Sequence, residues 1–358
     1  MKKVLVFTQS GVGGAERISV TVTKSLNPQS YKVIYYLIDR DGDNVNSIQS
    51  FIPVNLERHI IDKCNTIKLL LQILGAFVKE KPDVVFSSVL YLNCKILLFR
   101  LLFPKTKFII RCDNYLYTYT DKQQKRIEKY YKNANVIIAQ TEEMQSELCK
   151  LNVIYKNKTI VLHNPIDTDT IDYYIQQSKS PFHDSGKLRF VASGRFDEQK
   201  GFDLLVQAYK LVHSELPLSE LYIIGKTGGE NNQYNKYIQQ LIHENQLEDN
   251  VHCIGYQDNP YHYFAFADCF VLSSRWEGLP NVMIEALYLG TPIAAFRCIP
   301  IIERIIDEGY NGYTASPNNI QELAKAMVKA SALGRVKSKY KPASIQDFHR
   351  LFDSCNHD

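Results

Sequence analysis

The feature that most constrains the fold is a regular alternation of short β-branched runs with helix-like segments along the whole chain. In the first half the runs read "VLVFTQ", "KVIYYLID", "DVVFSS", "FIIRC", "NVIIAQT" and "TIVLHN". From about Leu188 a second series follows: "LRFVASG", "ELYIIGK", "VHCIGY", "DCFVLSS" and "PIAAF". Short apolar strands joined by helical crossovers predict parallel sheets with helices on both faces. We therefore expect an α/β protein with two doubly wound, Rossmann-like domains.

The two series are separated by a polar, punctuated segment, and 358 residues is a comfortable length for two domains. The pattern predicts a first domain over residues 1–168, a linker over 169–186 and a second domain over 187–335. Residues 336–358 are predicted to form a tail with one short amphipathic helix. Because ligands of such sheets bind at the carboxyl ends of the strands, we expect a ligand cleft between the domains.

Cysteine usage and hydropathy indicate the class of protein. The eight cysteines are spread singly, with no CxxC pair and no Cys/His cluster of zinc-ligand spacing. Buried free thiols in a reducing compartment are therefore expected. The apolar run near the start breaks at Gln9, and no stretch approaches the roughly 18 to 20 apolar residues of a membrane span. These features predict a cytoplasmic protein.

Charge is distributed unevenly along the chain. Residues 1–168 carry 24 Lys and Arg against 15 Asp and Glu, a balance of +9, while the whole chain carries only +4. A basic first half suggests an anionic partner, although a solvated lysine-rich surface would give the same count. The isoelectric point of about 8.4 is short of the value above about 9 that is typical of nucleic-acid binders, so nucleic acid is not expected.

The loop after the first predicted strand, "SGVGGAER", is rich in glycine. Gly13 and Gly14 allow a close backbone approach to a ligand at a helix N-terminus. The GxGxxG spacing of dinucleotide-binding proteins fails, because Glu16 stands where a small residue belongs. Either a turn that contacts an anionic or sugar ligand or a purely structural turn fits this pattern.

The loop after "LRFVA" carries two cations, Arg195 and Lys200, flanked by Gly194 and Gly201. Cations at the start of a helix are electrostatically unusual, since the helix dipole already favours negative charge there. A bound diphosphate would explain both side chains, whereas solvated surface charge is the simpler alternative. The GxxxxGK[ST] pattern of phosphate-binding P-loops is absent from this loop.

The third loop reads "RWEGLPNVMIEALYLGTP" and contains two carboxylates, Glu277 in the loop and Glu285 in the following helix. Ionised carboxylates accept hydrogen bonds from hydroxyl groups. Glu285 could instead be a simple helix-start residue that interacts with the dipole. Taken together, the three loops provide glycines, two cations and two separated carboxylates, a set that fits a nucleotide sugar.

At these motifs the chain resembles glycosyltransferase family 4, retaining enzymes with the GT-B fold of two Rossmann-like domains around a cleft. The resemblance rests on "GGAER", "SGRFDEQKGFDLLVQAY", "HNPID" and "EGLPNVMIEALYLGTPIAA" and covers nearly the whole chain. It implies catalytic roles for Arg195 and Lys200 on the donor diphosphate and for Glu277 at the sugar. It also implies that Glu285 binds the ribose. The other donor-binding candidates that it implies are Gly13, Gly14, Leu279, Asn281 and Val282.

Two departures from the family pattern stand out. Many members carry a histidine near the donor sugar where this chain reads "IIRCDNYLY", which makes Asp113 a candidate catalytic contact to the sugar or acceptor. The usual diglycine that follows the strand after "TP" is replaced by Ile299 and Pro300, so this loop is expected to pack differently.

Two acidic triplets, "DGD" (41–43) and "DTD" (167–169), match the DxD pattern of metal-dependent glycosyltransferases. Such triplets are common by chance, and Arg195 with Lys200 can neutralise a diphosphate. We therefore expect no metal and no cofactor beyond the nucleotide-sugar substrate.

The resemblance implies transfer of a hexose or N-acetylhexosamine from a UDP-linked donor to a growing, lipid-linked surface glycan, such as a capsule or lipopolysaccharide. The basic segments over residues 93–111 and 121–135 could rest on the inner leaflet of the membrane, which predicts a cytoplasmic, peripheral enzyme. The alternatives are another GT-B activity, either a nucleotide-sugar epimerase or a phosphorylase, and a non-catalytic nucleotide-sugar binding subunit.

Overall fold

The protein is described by a computed structural model that covers residues 1–11, 13–39, 48–62, 64–182, 186–227 and 232–353. The chain forms two compact units. Unit 1 comprises Met1–Ile166 together with Pro342–Asp358, and unit 2 comprises Asp167–Lys341.

Unit 1 is built on a seven-stranded sheet in which all neighbouring strands are parallel. Its strands are β1 Lys2–Gln9, β2 Tyr31–Ile38, β3 Glu57–Ile61, β4 Val84–Ser87, β5 Lys107–Arg111, β6 Val136–Ala139 and β7 Thr159–Val161. The helices between them are α1 Gly14–Thr23, α2 Thr66–Glu80, α3 Leu90–Ile96, α4 Asp121–Tyr130 and α5 Glu142–Leu151. The spatial order β3-β2-β1-β4-β5-β6-β7 places the switch point, where the order reverses, between β1 and β4.

Unit 2 repeats this architecture with a six-stranded parallel sheet. Its strands are β8 Leu188–Ser193, β9 Ser219–Ile224, β10 Val251–Gly255, β11 Cys269–Leu272, β12 Ile293–Phe296 and β13 Gly312–Ala315. Its helices are α6 Thr168–Gln176, α7 Phe202–Glu215, α8 Gln233–Glu244, α9 Tyr261–Phe266, α10 Asn281–Tyr288, α11 Ile302–Ile305 and α12 Ile320–Ser331. The order β10-β9-β8-β11-β12-β13 places the switch point between β8 and β11.

The predicted α/β class with two parallel sheets is confirmed. Eleven strands were expected from the pattern, and the structure adds β3 and β13. Both extra strands lie at a sheet edge. Their sequences, "ERHII" and "GYTA", lack the continuous apolar character of a buried strand, because an edge strand is covered on fewer sides.

The two units divide the chain differently from the predicted segments. The first boundary falls after Ile166, and all but the first residue of α6, which belongs to unit 2, lies in the predicted linker. The tail returns to unit 1 through its amphipathic helix, α13 Ile345–Asp353. The buried rings of Phe348 and Phe352 join the apolar core of unit 1, which is why this helix packs there.

The C-terminal end of α13 is held by lysines from the sheet of unit 1. Lys2 Nζ donates to the Asp353 carbonyl at 2.9 Å, and Lys107 Nζ donates to the Leu351 carbonyl at 2.7 Å. Cations at the last carbonyls of a helix also interact favourably with its dipole. The tail is therefore fixed to unit 1 by both its apolar and its polar groups.

Seven cysteines are free thiols, as expected, and Cys355 lies outside the described residues. Cys94, Cys112 and Cys269 are buried, whereas the other four are only partly buried. In the described part of the chain, no helix is both long enough and apolar enough to cross a bilayer.

Candidate active site

The loops that carry the predicted cations and the first predicted glutamate follow β8 and β11, the two strands on either side of the switch point of unit 2. Crossover helices leave in opposite directions from such strands, so the loops between them open a crevice at the sheet edge. Residues 194–201 connect β8 to α7, and residues 273–280 connect β11 to α10. The topology therefore brings together two segments more than 70 residues apart in sequence.

The central contact of the site joins Lys200 to Glu277. Lys200 Nζ lies 2.6 Å from Glu277 Oε1, and Ser274 Oγ donates to the same oxygen at 2.6 Å. Only 16% of the Lys200 side chain and 8% of the Glu277 side chain are exposed. Burial of two charges is costly unless they are paired and hydrogen-bonded, and here each compensates the other. The two predicted functional residues are thus partners in this structure.

Further hydrogen bonds connect the backbones of the two loops. Ser273 Oγ donates to the Lys200 carbonyl at 2.8 Å, and the Arg275 amide donates to the Gln199 carbonyl at 2.8 Å. In return, Gln199 Nε2 donates to the Trp276 carbonyl at 3.0 Å. The position of Lys200 relative to Glu277 is therefore set by the main chain as well as by the ion pair.

The two glycines of the loop between β8 and α7 are closely packed. Gly201 has a left-handed backbone with φ of +61°, and a Cβ there would lie 2.2 Å from the Ser273 carbonyl oxygen. A Cβ on Gly194 would lie 2.9 Å from Lys200 Cδ, because the lysine stem crosses this residue. Only glycine lets the two loops and the lysine approach this closely.

Arg195 lies on the same loop but has different partners. Its side chain is 61% exposed, with Nε 3.1 Å from Asp197 Oδ2 and Nη2 donating to Gln199 Oε1 at 3.2 Å. Arg195 and Lys200 therefore have different partners in this structure, and their shared role on one anion stays a prediction. Arg195 is available at the surface of the loop, whereas Lys200 is held inside.

The predicted helix after the second loop is α10. Leu279 and Glu285 are buried, with 6% and 8% of their surfaces exposed, while Asn281 and Val282 are partly buried at the start of the helix. Glu285 lies in the second helical turn, as expected from the sequence.

Cys298 is a member of the site environment that the sequence pattern did not reveal. It follows β12, immediately before the Ile299 and Pro300 that replace the usual diglycine. Burial raises the pKa of the Cys298 thiol, and the charge of the nearby Glu277 raises it further. The only sequence signal for this loop is the unusual Ile299–Pro300 pair, which does not point to Cys298 itself. Ser274 was also missed, because serines are common after a strand.

In unit 1, the glycine turn after β1 encloses a carboxylate. Gly13 precedes α1, and a Cβ on it would lie 2.2 Å from Glu16 Oε2. Glu16 is 8% exposed. The backbone of this turn is therefore packed against a buried carboxylate. Gly14 begins α1 and is exposed.

Asp113 lies just beyond β5 in unit 1 and accepts a hydrogen bond from the Tyr119 hydroxyl. Burial raises the pKa of Asp113, and the Tyr119 hydrogen bond and the Arg111 charge oppose that shift. The neighbouring Arg111 is itself buried and donates to Asn164. Asp113 is thus a carboxylate in a partly buried, polar setting.

The acidic triplets have the following positions. Asp167 caps α6, with its carboxylate accepting the Thr170 amide at 3.3 Å. Residues 41–43 lie outside the described residues. Over the described ranges, the cluster with metal-ligand proximity is Glu57, His59 and Glu80. In that cluster Glu57 pairs with Lys32 at 2.7 Å, which supplies a counter-charge without a metal.

Comparison with known proteins identifies the family of this site. The family model of glycosyl transferases group 1 matches residues 174–346, and that of glycosyltransferase family 4 matches residues 12–170. The two models thus meet near the boundary between the units and cover most of the chain. The chain belongs to the glycosyltransferases.

Individual relatives agree with this assignment. An uncharacterised glycosyltransferase of Methanocaldococcus jannaschii is 31% identical over 302 residues, which are 79% of this chain and 64% of the relative. The amylovoran biosynthesis glycosyltransferase AmsD of Erwinia amylovora is 25% identical over 87% of this chain and 85% of its own. A Campylobacter jejuni N-acetylgalactosaminyltransferase, named for a diphospho-undecaprenol substrate, is 30% identical over 45% of this chain and 41% of its own.

Among solved structures, Anabaena HepE in complex with UDP-glucose matches this glycosyltransferase with a TM-score of 0.75, covering 98% of both chains at 16% identity. At this identity the likeness concerns the fold. Together with the two parallel-sheet units, it confirms the predicted GT-B fold class.

We predict that Gly201→Ala destabilises the glycosyltransferase more than Gly255→Ala does. Both residues have positive φ, +61° and +73°, so both substitutions introduce backbone strain of about 1 kcal/mol. Only Gly201 faces a backbone oxygen, whereas nothing lies within 4 Å of a Cβ on Gly255. Overpacking should add about 1–3 kcal/mol for Gly201→Ala, measured by denaturant unfolding. Equal losses in the two variants would show that the loops adapt freely.

Proposed function

We propose that this glycosyltransferase moves a hexose or N-acetylhexosamine from a UDP-linked donor to a growing, lipid-linked surface glycan, with retention of configuration. The observation that carries the proposal is the buried Lys200–Glu277 ion pair at the switch point of unit 2. A nucleotide sugar offers a diphosphate to such a cation and hydroxyl groups to such a carboxylate, which supports this class of donor.

Donor binding would exchange the partners of this pair. Lys200 would turn to the diphosphate, and Glu277, which keeps its hydrogen bond from Ser274, would accept hydrogen bonds from sugar hydroxyls. Both buried charges stay compensated before and after the exchange, which avoids the cost of an isolated buried charge. The ammonium group would then stabilise the negative charge that develops on the leaving diphosphate. The exposed Arg195 would supply a second cation to the same group.

The start of α10 would bind the rest of the donor. Backbone amides at a helix N-terminus favour an anion, which suits a contact from Leu279, Asn281 and Val282 to phosphate or sugar oxygens. Glu285, one turn further, would accept hydrogen bonds from the ribose hydroxyls.

Glu277 would not act as a nucleophile. In the donor-bound state its carboxylate would accept hydrogen bonds from Ser274 and from the sugar hydroxyls, a binding role that leaves no part for it in covalent chemistry. Retention would then follow from attack of the acceptor on the face that the diphosphate leaves, with a phosphate oxygen taking the acceptor proton. Asp113 and the turn at Gly13 and Gly14 would contribute contacts to the sugar or acceptor from unit 1. With Lys200 and Arg195 as cations, the reaction would require no metal.

The names of relatives support the donor and acceptor classes. HepE binds UDP-glucose, AmsD belongs to amylovoran biosynthesis, and the Campylobacter relative is named for a diphospho-undecaprenol-linked substrate. A UDP-sugar donor and a lipid-linked glycan acceptor are the choices that these names favour for this chain.

A basic and apolar face of unit 1 would bind the membrane surface that presents such an acceptor. Leu101 and Leu102 are 86% and 66% exposed. The segment that carries them packs near the end of α4, since Asn133 Nδ2 donates to the Leu97 carbonyl at 3.3 Å. Side chains of α4 line an open surface depression; they include the cations Lys122, Lys125, Arg126 and Lys129 and the carboxylate of Asp121. Within the described residues, none of these four cations has a carboxylate within 4.0 Å.

We predict that the two glutamates of the site have separable effects. Glu285→Ala should weaken donor binding by roughly 10- to 100-fold, the loss expected for a charge-assisted hydrogen bond, with a smaller change in kcat. Glu277→Ala should mainly lower kcat. Donor affinity can be followed by the fluorescence of Trp276, the single tryptophan of the chain, and turnover by sugar transfer to an extracted lipid acceptor.

Lys200→Ala is the matching test of the cation and should lower both donor affinity and kcat. If Lys200→Ala and Glu277→Ala both retain wild-type transfer, the site assignment fails. Turnover of the donor without any acceptor would instead point to an epimerase.

We also predict that the four α4 cations control membrane binding. Each charge near an anionic surface contributes about 1 kcal/mol. Replacement of Lys122, Lys125, Arg126 and Lys129 by Gln should abolish co-sedimentation with vesicles rich in phosphatidylglycerol. The matched control replaces four exposed lysines of unit 2 by Gln: Lys210, Lys236, Lys325 and Lys337. Unchanged binding of the α4 variant, or an equal loss in the control, would contradict this role.

A further inference from the structure

A second ion pair of unit 2 lies beside the site and has no role in the proposed chemistry. Arg275 Nη1 donates to Asp203 Oδ1 at 2.9 Å, and Nη2 donates to Oδ2 at 2.6 Å. Tyr234 adds a third hydrogen bond, from its hydroxyl to Asp203 Oδ1 at 2.6 Å. Two parallel bonds between a guanidinium and a carboxylate fix orientation as well as distance. The three side chains therefore form a rigid cluster, which we call the clamp.

The clamp joins three separate elements. Arg275 lies in the loop after β11, two residues before Glu277, whereas Asp203 is the second residue of α7, three residues after Lys200. Tyr234 is the second residue of α8. The loop of Glu277 is thereby tied to the helix that begins just after Lys200.

Arg275 also contacts the Lys200 loop directly. Its Nη1 donates to the Glu198 carbonyl at 2.8 Å, and this atom lies 3.6 Å from the position that a Cβ on Gly201 would take. A Cβ at Gly201 would therefore touch the guanidinium at an ordinary contact distance, while it would clash with the Ser273 carbonyl oxygen. The Arg275 side chain is thus hydrogen-bonded to the backbone of the loop that contains Lys200.

Asp203 is ionised in this setting. Burial opposes its ionisation, but the hydrogen bonds from Arg275 and Tyr234 outweigh that effect and lower the pKa of Asp203. Asp203 is 10% exposed and Arg275 28% exposed. A largely buried ion pair is weak evidence for a stabilising role, since apolar residues of similar size often serve stability equally well.

We propose that Arg275, Asp203 and Tyr234 position Lys200 relative to Glu277, so that partner exchange on donor binding occurs by side-chain rotation without movement of the loops. This inference rests on the proposed function. Among the described residues, no hydrogen bond joins a clamp side chain to the side chain of Lys200 or Glu277. The three clamp residues would therefore act on the pair through the loops, as positioning residues. Because the loops are already fixed, donor binding and reaction do not have to include the entropic cost of ordering them.

The test is Arg275→Lys, which keeps the charge but cannot make the paired hydrogen bonds. Misplacement of reacting groups by about 1 Å can cost roughly 100-fold in rate, so we expect kcat to fall by about 10- to 100-fold. Donor affinity, measured with UDP through Trp276 fluorescence, should change less than about threefold. The control is Arg335→Lys, since Arg335 donates to Thr291 Oγ1 at 2.7 Å outside both loops. It should retain wild-type kcat.

Two further variants separate positioning from folding. Arg275→Ala should regain part of its kcat when guanidinium ion is added at a concentration below the unfolding range, whereas methylammonium should not restore it. The double variant Arg275→Lys with Asp203→Asn should be no slower than the slower single variant, because the two residues act as one unit.

Wild-type kcat in Arg275→Lys would overturn the clamp, as would parallel losses of kcat, UDP affinity and melting temperature with no guanidinium rescue. Failure of the proposed function gives a different result. In that case the wild-type protein would transfer no sugar, and Lys200→Ala would be indistinguishable from it.

Discussion

The structure of the site depends on one buried ion pair, Lys200 with Glu277. Two opposite charges that are each less than one-fifth exposed must compensate each other. Their contact depends on the left-handed backbone of Gly201, on the absence of a Cβ at Gly194 and on the hydrogen bonds between the two loops. The glycines that mark the motif in the sequence are therefore explained by packing around this pair.

The topology explains why the pair lies where it does. In unit 2 the strand order reverses between β8 and β11, so the loops after these strands are neighbours at the carboxyl edge of the sheet. Unit 1 has the same design with its reversal between β1 and β4, and its glycine turn follows β1. Each unit thus offers one crevice, but the unit 1 turn contains the Glu16 carboxylate, whereas the unit 2 loops contain the cations. The two cations on which the proposed diphosphate contact depends thus lie in unit 2.

Much of the fold could be predicted from the sequence, because a buried parallel strand is a short apolar run and a crossover helix has its own period. The edge strands β3 and β13 were missed, since their residues are partly exposed and polar. The residue types of the site and their loops were also predictable. Their partners were not: Lys200 and Glu277 are 77 residues apart, and no local pattern shows that they pair with each other or that Arg195 turns to Asp197. The same holds for Arg275 and Asp203, which are 72 residues apart.

The central claim is that a nucleotide-sugar diphosphate replaces Glu277 as the partner of Lys200. The most direct measurement is a crystal structure of the protein with UDP bound. The account predicts that Lys200 Nζ moves from its position 2.6 Å from Glu277 Oε1 to within about 3.2 Å of a diphosphate oxygen, while the two loops keep their backbone positions. UDP bound at another place, with the Lys200–Glu277 pair intact, would contradict it.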